Sequence, residues 1–416
     1  MVSSSIAFYT LSTLALYSSA FAQADFAPCP ILGPRYPQPS QVTDSPYVQE
    51  ALQNLTAASN ELVQSGGNSS YTKATPNTTT FSIALFDSVD ITDVHIPFIY
   101  EYHHSAPSFD NKTSVDADSV YNIGGLSQFR TVYTFLAATQ DNLWYDPITK
   151  YLPGLNGTSG RSAAAGTDWN HVLLVDLATQ LVGIPREGSC LHPASTQPST
   201  TPIYSDAAFC LLALALEKIT GKSFADTVQE SILSPLNISA TTVGTPASDT
   251  NAVIPDNVTT SGWQIPTTDS ALLAATGLFS TITDLSIIGR SILRSSLLPM
   301  PTTNRWLKPH SYTSNPRNGV GMPFDIYTPT LTGTVVGPIT EIFTKLGPNG
   351  LYSPYFGLVP DYGVGFVVLS ADTNQAADLN AYADLIAEYL LPTMEQTAAA
   401  EATIKYAGDY TSRDGA

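Results

Sequence analysis

Apolar positions along this chain follow two spacings. Over 47–63, Val48, Leu52, Leu55 and Leu62 recur three, four and seven residues apart, which predicts an amphipathic helix. Residues 81–85 and 98–102 are short β-rich runs and predict strands of an antiparallel sheet. From about 124 to 300 the helical spacing dominates. One apolar helix opens within 121–128 and runs to about Thr139. A second is predicted over 169–181, stopping at Gly183-Ile184-Pro185. A third covers 205–220 with Gly221 as its stop, and a fourth covers 283–296, capped by Thr281 or Thr283. Strand signals return from Thr334. Residues 364–369 are almost continuously apolar, as in a buried central strand, and 378–391 predict a last amphipathic helix. Strands near both ends and helices between them predict an α+β fold. The sheet is antiparallel and flanked by helices, and it carries an inserted, mainly helical subdomain.

The segments outside this pattern set the organisation. Residues 6–22 are apolar and small and end in Ala20-Phe21-Ala22, an A-x-A cleavage site, so 1–22 reads as a secretory signal peptide. No Lys or Arg precedes the apolar run, and its Ser and Thr content and short length argue against a membrane anchor. Residues 28–39 are Pro-rich, which excludes regular helix. Residues 65–80 are a Gly/Ser/Thr/Asn loop. The expected division is therefore a signal at 1–22, a glycosylated lead at 23–80, the main domain at 81–395, and at 396–416 the truncated start of a C-terminal β domain.

Composition narrows the class. The 416 residues include 43% hydrophobic and only 12% charged, which predicts a packed globular chain. The net charge of −18 argues against binding nucleic acid or an anionic membrane. Seven N-x-S/T sequons, at Asn54, Asn68, Asn77, Asn111, Asn156, Asn237 and Asn257, join the signal in predicting a secreted glycoprotein. Three cysteines exclude a disulfide-dense scaffold. Cys210 lies inside a predicted apolar helix and reads as a small buried hydrophobe, which leaves Cys29 and Cys190 as the favoured disulfide pair. No C-x-x-C occurs. The neighbouring His103 and His104 would face opposite sides of a strand, so no metal and no cofactor is expected.

Three places carry candidate chemistry. The first is the helix start Gly124-Gly125-Leu126-Ser127-Gln128, where amide hydrogens and the helix dipole suit negative charge. The second is Tyr204-Ser205-Asp206, a loop-to-helix junction at which Asp206 can act as an N-cap. A Tyr beside a Lys can relay protons, and a Tyr at a sheet edge is the plain structural alternative. The third is Lys345-Leu346-Gly347, at a strand that can line a cleft; an exposed strand Lys is the ordinary reading.

These places, together with 177–185, Leu216-Glu217-Lys218-Ile219-Thr220-Gly221 and Gly277-Leu278-Phe279-Ser280-Thr281, resemble the serine β-lactamase and penicillin-binding-protein-like family, in particular its secreted fungal branch. That family pairs S-x-x-K with Y-x-N and K-T-G or a variant of it. The resemblance implies that Tyr204, Lys345 and Gly347 stand at motif positions. It also implies that Gly125 replaces the nucleophilic Ser, Gln128 the general-base Lys, and Asp206 the Asn. Ser127 reads as a neighbour in the same cleft. The one literal S-x-x-K, Ser70 to Lys73, lies in the sequon-rich loop, far from the matching helix.

With no atom to acylate at position 125, the expectation is a secreted pseudoenzyme that binds a small molecule or partner in the inherited cleft. The ligand class implied is an acyl ester, a lactam or a polyketide-like compound. Two alternatives stay open. One is a non-covalent acid/base enzyme of secondary metabolism using Tyr204, Asp206 and Lys345. The other is a hydrolase, esterase or acyltransferase with a displaced nucleophile.

Overall fold

Residues 79–87 and 364–372 are apolar at most positions, and in the computed structural model both are strands buried at every residue: β1 (Thr79–Asp87) and β11 (Val364–Asp372). The structure describes residues 34, 36–67, 74–88, 98–109, 114–156, 168–184, 197–255, 258–264, 270–329 and 340–410. The two strands pair antiparallel in the register Ile83 to Val368. Each serves two cores, because successive side chains point to opposite faces. Phe81, Ile83 and Leu85 enter one core with Val364, Phe366 and Val368. Ala84 and Phe86 enter the other with Val367, Leu369 and Ala371.

The full sheet has eight strands in the order β2-β1-β11-β10-β9-β8-β7-β6. The remaining members are β2 (Tyr100–His104), β6 (Ser311–Tyr312), β7 (Asn318–Val320), β8 (Asp325–Tyr327), β9 (Ile342–Leu346) and β10 (Tyr352–Val359). A smaller sheet joins β3 (Tyr121–Asn122), β5 (Leu278–Ser280) and β4 (Thr242–Val243). The chain between β2 and β6 holds α2 (Ser127–Thr139), α3 (Leu174–Ala178), α4 (Asp206–Thr220), α5 (Phe224–Val228), α6 (Ser270–Thr276), α7 (Ile282–Leu293) and α8 (Met300–Trp306). The expected α+β architecture is what forms.

On the other face lie α1 (Pro46–Gln64) and α9 (Asn380–Tyr406). Val48, Leu55 and Leu62 of α1 are buried in this core. The Ser45 and Thr397 hydroxyls are 2.6 Å apart, and Glu401 accepts from the amides of Ser40 and Gln41. Residues 46–64 thus share a core with β1 and β11, and α9 runs past 395 to Tyr406.

Local corrections have local causes. The helix expected over 169–181 is a 3-10 turn, Trp169–His171, followed by the short α3. Gln180 then takes a left-handed φ of 64°, which ends the helix. At α4 the N-cap is Ser205, whose hydroxyl accepts from Ala208 N, so Asp206 is free of that duty. Thr281 caps α7, and Gly221 stops α4 at φ 70°. His103 and His104 bond Ser82 and the Pro76 carbonyl, and no metal-binding group exists among the described residues. Cys210 is buried; Cys29 and Cys190 lie outside the described residues, as do the signal segment, Ser70 to Lys73, Asn68, Asn111 and Asn257. Asn54, Asn77, Asn156 and Asn237 are exposed. No helix among the described residues is long and apolar enough to cross a membrane.

The end of β11 is held by one carboxylate. Asp372 accepts from the hydroxyls of Thr75, Thr78 and Thr79 and from the amides of Asn374 and Gln375. Burial pushes its carboxyl up, but these hydrogen bonds outweigh burial and hold it below the ordinary value of 3.8. A carboxyl held down in this way stabilises the fold above its unfolded pKa, and the contribution is lost as pH falls through the folded value. Asp372→Asn should therefore cost about 2 kcal/mol at neutral pH. The gap to wild type, read by urea denaturation, should narrow below the ordinary carboxylate range. A gap unchanged at acid pH would contradict this role.

Candidate functional site

The site begins where the chain before α2 meets the end of β9. A short 3-10 turn, Gly124–Leu126, precedes α2. Gly124 has a φ of +42°, and a Cβ there would lie 2.1 Å from the Gly347 carbonyl oxygen. A Cβ on Gly347 would lie 2.5 Å and 2.6 Å from the amide nitrogens of Leu126 and Gly125. Only glycine permits two backbones to approach so closely. The amide of Gly125 uses this contact and donates to the Gly347 carbonyl at 3.2 Å. Asn122, buried on β3, accepts from the Gly124 amide at 2.7 Å and donates to the Gly262 carbonyl at 2.8 Å. The helix start is thus fastened on both sides.

One turn further on, Gln128 lies in a chain of amides. Its Nε2 donates to Asp206 Oδ1 at 2.8 Å. Its Oε1 accepts from Gln180 Nε2 at 3.2 Å, and Gln180 Oε1 accepts from the Ser205 amide at 2.9 Å. Gln180 is buried, and its backbone carbonyl also accepts from Ile203 N. The left-handed backbone of Gln180 costs about 1–2 kcal/mol. That cost is offset by hydrogen bonds that would otherwise leave buried polar groups unsatisfied. The chain ties α2, the α3 exit and the start of α4 together.

The opposite wall is Tyr204, Asp325 and Lys345. The Tyr204 hydroxyl donates to Asp325, at the start of β8. Lys345 is only 2% exposed, so it is not the surface strand Lys of the ordinary reading, and its Nζ sits 5.2 Å from the centre of the Tyr204 ring. Such a placement favours a cation over an aromatic face. A cavity of about 200 Å³ is lined by Gly125, Gln128, Tyr204, Asp206, Asp325, Lys345 and Gly347 among others. The motif positions expected from the sequence therefore share one cavity.

Ser127 does not. It is fully buried, and its hydroxyl accepts from Leu278 N at 3.2 Å, so its expected place in the cleft is corrected. The helix turn points it toward β5 instead. Arg130 is also buried behind the wall; burial pulls its pKa down to about 10 against the partial compensation of Asp284, so it stays charged at neutral pH.

Three participants were not predicted. Gln180 left a faint signal, a polar residue in the apolar run that ends at Gly183-Ile184-Pro185. Asp325 left none, because only sheet pairing brings it to the cavity, where it stands opposite Thr344, next to Lys345; Asn122 lies outside the cavity lining and acts from two residues before Gly124.

The beta-lactamase family model matches residues 99–391. The chain belongs to that family. It is 29% identical to a "Beta-lactamase-like protein" of Arthroderma benhamiae, over 95% of this chain and 72% of that one. It is 22% identical to "Probable hydrolase M10" of a Phoma species and to "Probable hydrolase clz13" of Cochliobolus lunatus, over 64% of this chain in each case. The chain spans about half the length of the latter two, 51% and 52%. Among solved structures, a class C beta-lactamase mutant superposes with a TM-score of 0.60 at 14% identity, covering 83% of this chain and 98% of that one. A D-stereospecific amidohydrolase from Streptomyces gives 0.57 at 18%, covering 84% and 99%. Both show the fold.

The amide chain makes a stability ranking. Gln180→Ala should lose about 2–3 kcal/mol, because the Ser205 amide and Gln128 Oε1 lose their partners. Gln180→Gly loses the same bonds but relieves the left-handed backbone, and should be about 1 kcal/mol more stable than the Ala variant. Chemical denaturation reads the order; Ala more stable than Gly would contradict it.

Proposed function

We propose that this chain is a non-acylating member of the beta-lactamase family that binds a small molecule in the inherited cleft. The observation that carries the reading is Gly125. It offers no atom to acylate, and its amide hydrogen, which sits where a helix start would stabilise an oxyanion, is turned to the Gly347 carbonyl. Gln128 supports the same reading. An amide cannot act as a general base, and both of its polar atoms are committed to Asp206 and Gln180. The ligand class is an acyl ester, a lactam or a polyketide-like compound, which the hydrolase names of the fungal relatives support by analogy. Export and glycosylation belong to the proposal. They rest on the apolar run ending at Ala20-Phe21-Ala22 and on the sequons, four of whose asparagines are exposed.

A second reading has its own support. Tyr204 donates to Asp325 while Lys345 sits against its ring, an acid/base group that needs no covalent intermediate. In that reading the cleft transfers protons to and from a bound substrate.

Treatment with a fluorophosphonate and with an activated ester, followed by intact mass, separates these readings. No adduct is expected. A stoichiometric adduct on the folded wild type would sink the proposal. Ester turnover without adduct, lost in Tyr204→Phe, would select the acid/base reading.

The Asp206 contact also predicts how activity can be restored. A Lys at position 128 would meet the Asp206 carboxylate and be held protonated. Gly125→Ser with Gln128→Lys should remain within about tenfold of wild type toward the fluorophosphonate. Adding Asp206→Asn should raise the labelling rate on the order of 100-fold, the usual scale of a positioned general base. Equal rates for the double and triple variants would show that Asp206 does not control the base.

A further inference from the structure

A second and larger cleft adjoins the cavity described above. Its volume is about 610 Å³, within the range of small-molecule sites, and it shares Tyr204 and Asp325 with the smaller one. The hydrogen-bonded Tyr204–Asp325 pair is therefore the partition between the two.

The lining has a consistent chemistry. Asp325 and Asp384 bring two carboxylates, and Tyr204, Tyr312, Tyr327 and Tyr355 bring four aromatic faces. No Lys, Arg or His is among the lining residues. Tyr312, Tyr327 and Tyr204 are three of the large apolar side chains that the fold leaves exposed; Tyr312 is 76% exposed. Three such rings in one cleft are not explained by core packing, because each covers little of the core. One oxygen of Asp325 accepts from Tyr204, and the other has no hydrogen-bond partner among the described residues. Asp384 makes no ion pair among the described residues.

We propose that this cleft binds a small organic cation, an amine or quaternary ammonium group, held between the tyrosine faces and the carboxylates of Asp325 and Asp384. The inference rests on the reading of the protein as a small-molecule binder and adds a charged group to the ligand.

Aromatic faces attract cations through the ring quadrupole, and two carboxylates that make no ion pair among the described residues add Coulomb attraction. The phenol of Tyr355 reports the same field. Burial raises its pKa most, Thr344 lowers it, and Asp325, Asp384 and Asp378 raise it further. Burial likewise raises Asp384 most, with Asp378 and Glu388 adding to it, so a cation at this place relieves like-charge repulsion. The one cation of the neighbouring cavity, Lys345, packs against Tyr204 and lines the smaller cavity, not this one. The chain's net charge of −18 steers cations toward the surface in general, but Tyr312, Tyr327 and Tyr355 line this cleft and not the smaller cavity.

The test is calorimetric titration of the full chain with choline and with 3,3-dimethyl-1-butanol, its neutral isostere. Choline should bind at least about tenfold more tightly than the alcohol, the effect of roughly 1.4 kcal/mol of cation recognition. Asp384→Asn and Tyr312→Ala should each weaken choline by about twofold to fivefold, within the range of a single exposed cation–π or ionic contact. Tyr312 and Asp384 are both exposed, so neither change disturbs the core. Equal binding of alcohol and choline, no choline binding, or choline binding unaffected by both substitutions would overturn the proposal. A fluorophosphonate adduct would overturn the non-acylating reading instead, and choline affinity would remain a separate readout.

Discussion

The structure around the cavity depends on one backbone contact, the amide of Gly125 against the carbonyl of Gly347. It joins the first turn before α2 to the end of β9, and so locks the helical half of the molecule to the sheet. The contact is possible because no side chain stands at 124 or 347. Gly124 needs a positive φ, and Gly347 needs room for two backbone amides. Position 125 is less constrained: a Cβ there would sit 3.1 Å from the Cα of Gly347, so a serine would be tight but not forbidden.

The electrostatics around this contact are mutually consistent. An Asn opposite a Lys keeps that Lys available as a base, whereas an Asp opposite a Lys would hold it protonated. Here Asp206 faces an amide, Gln128, and Gln128 in turn is completed by Gln180. The three residues hydrogen-bond one another, and changing one alone leaves a polar group short of a partner. Gln128, Asp206 and Gln180 are thus coupled beside Gly125. On the opposite wall Lys345 and Tyr204 meet face to ring.

The fold was largely legible in the sequence because its signals are local. The apolar runs of β1 and β11, the α1 stripe and the stop at Gly221 each report a periodicity or a cap that neighbours in sequence decide. The site was legible only where a motif carried it. Gly125, Gln128, Tyr204, Asp206 and Lys345 were found by their place in recognisable segments. Asp325 was invisible, since strand pairing and not spacing brings it to the cavity. Ser127 was placed in the cleft by its nearness in sequence, although two residues on from Gly125 it takes a different face of the turn.

The Gly125 amide itself is the most direct probe of the sealed helix start. In protein labelled with nitrogen-15 glycine, its hydrogen exchange can be followed with and without an arylboronic acid, which mimics the tetrahedral state of acyl transfer. A hydrogen bonded to the Gly347 carbonyl should exchange slowly, at least about 1,000-fold slower than an open amide, and should not respond to the boronic acid. Rapid exchange in the free protein, or a shift of this resonance on adding the boronic acid, would contradict the claim that the inherited oxyanion position is closed.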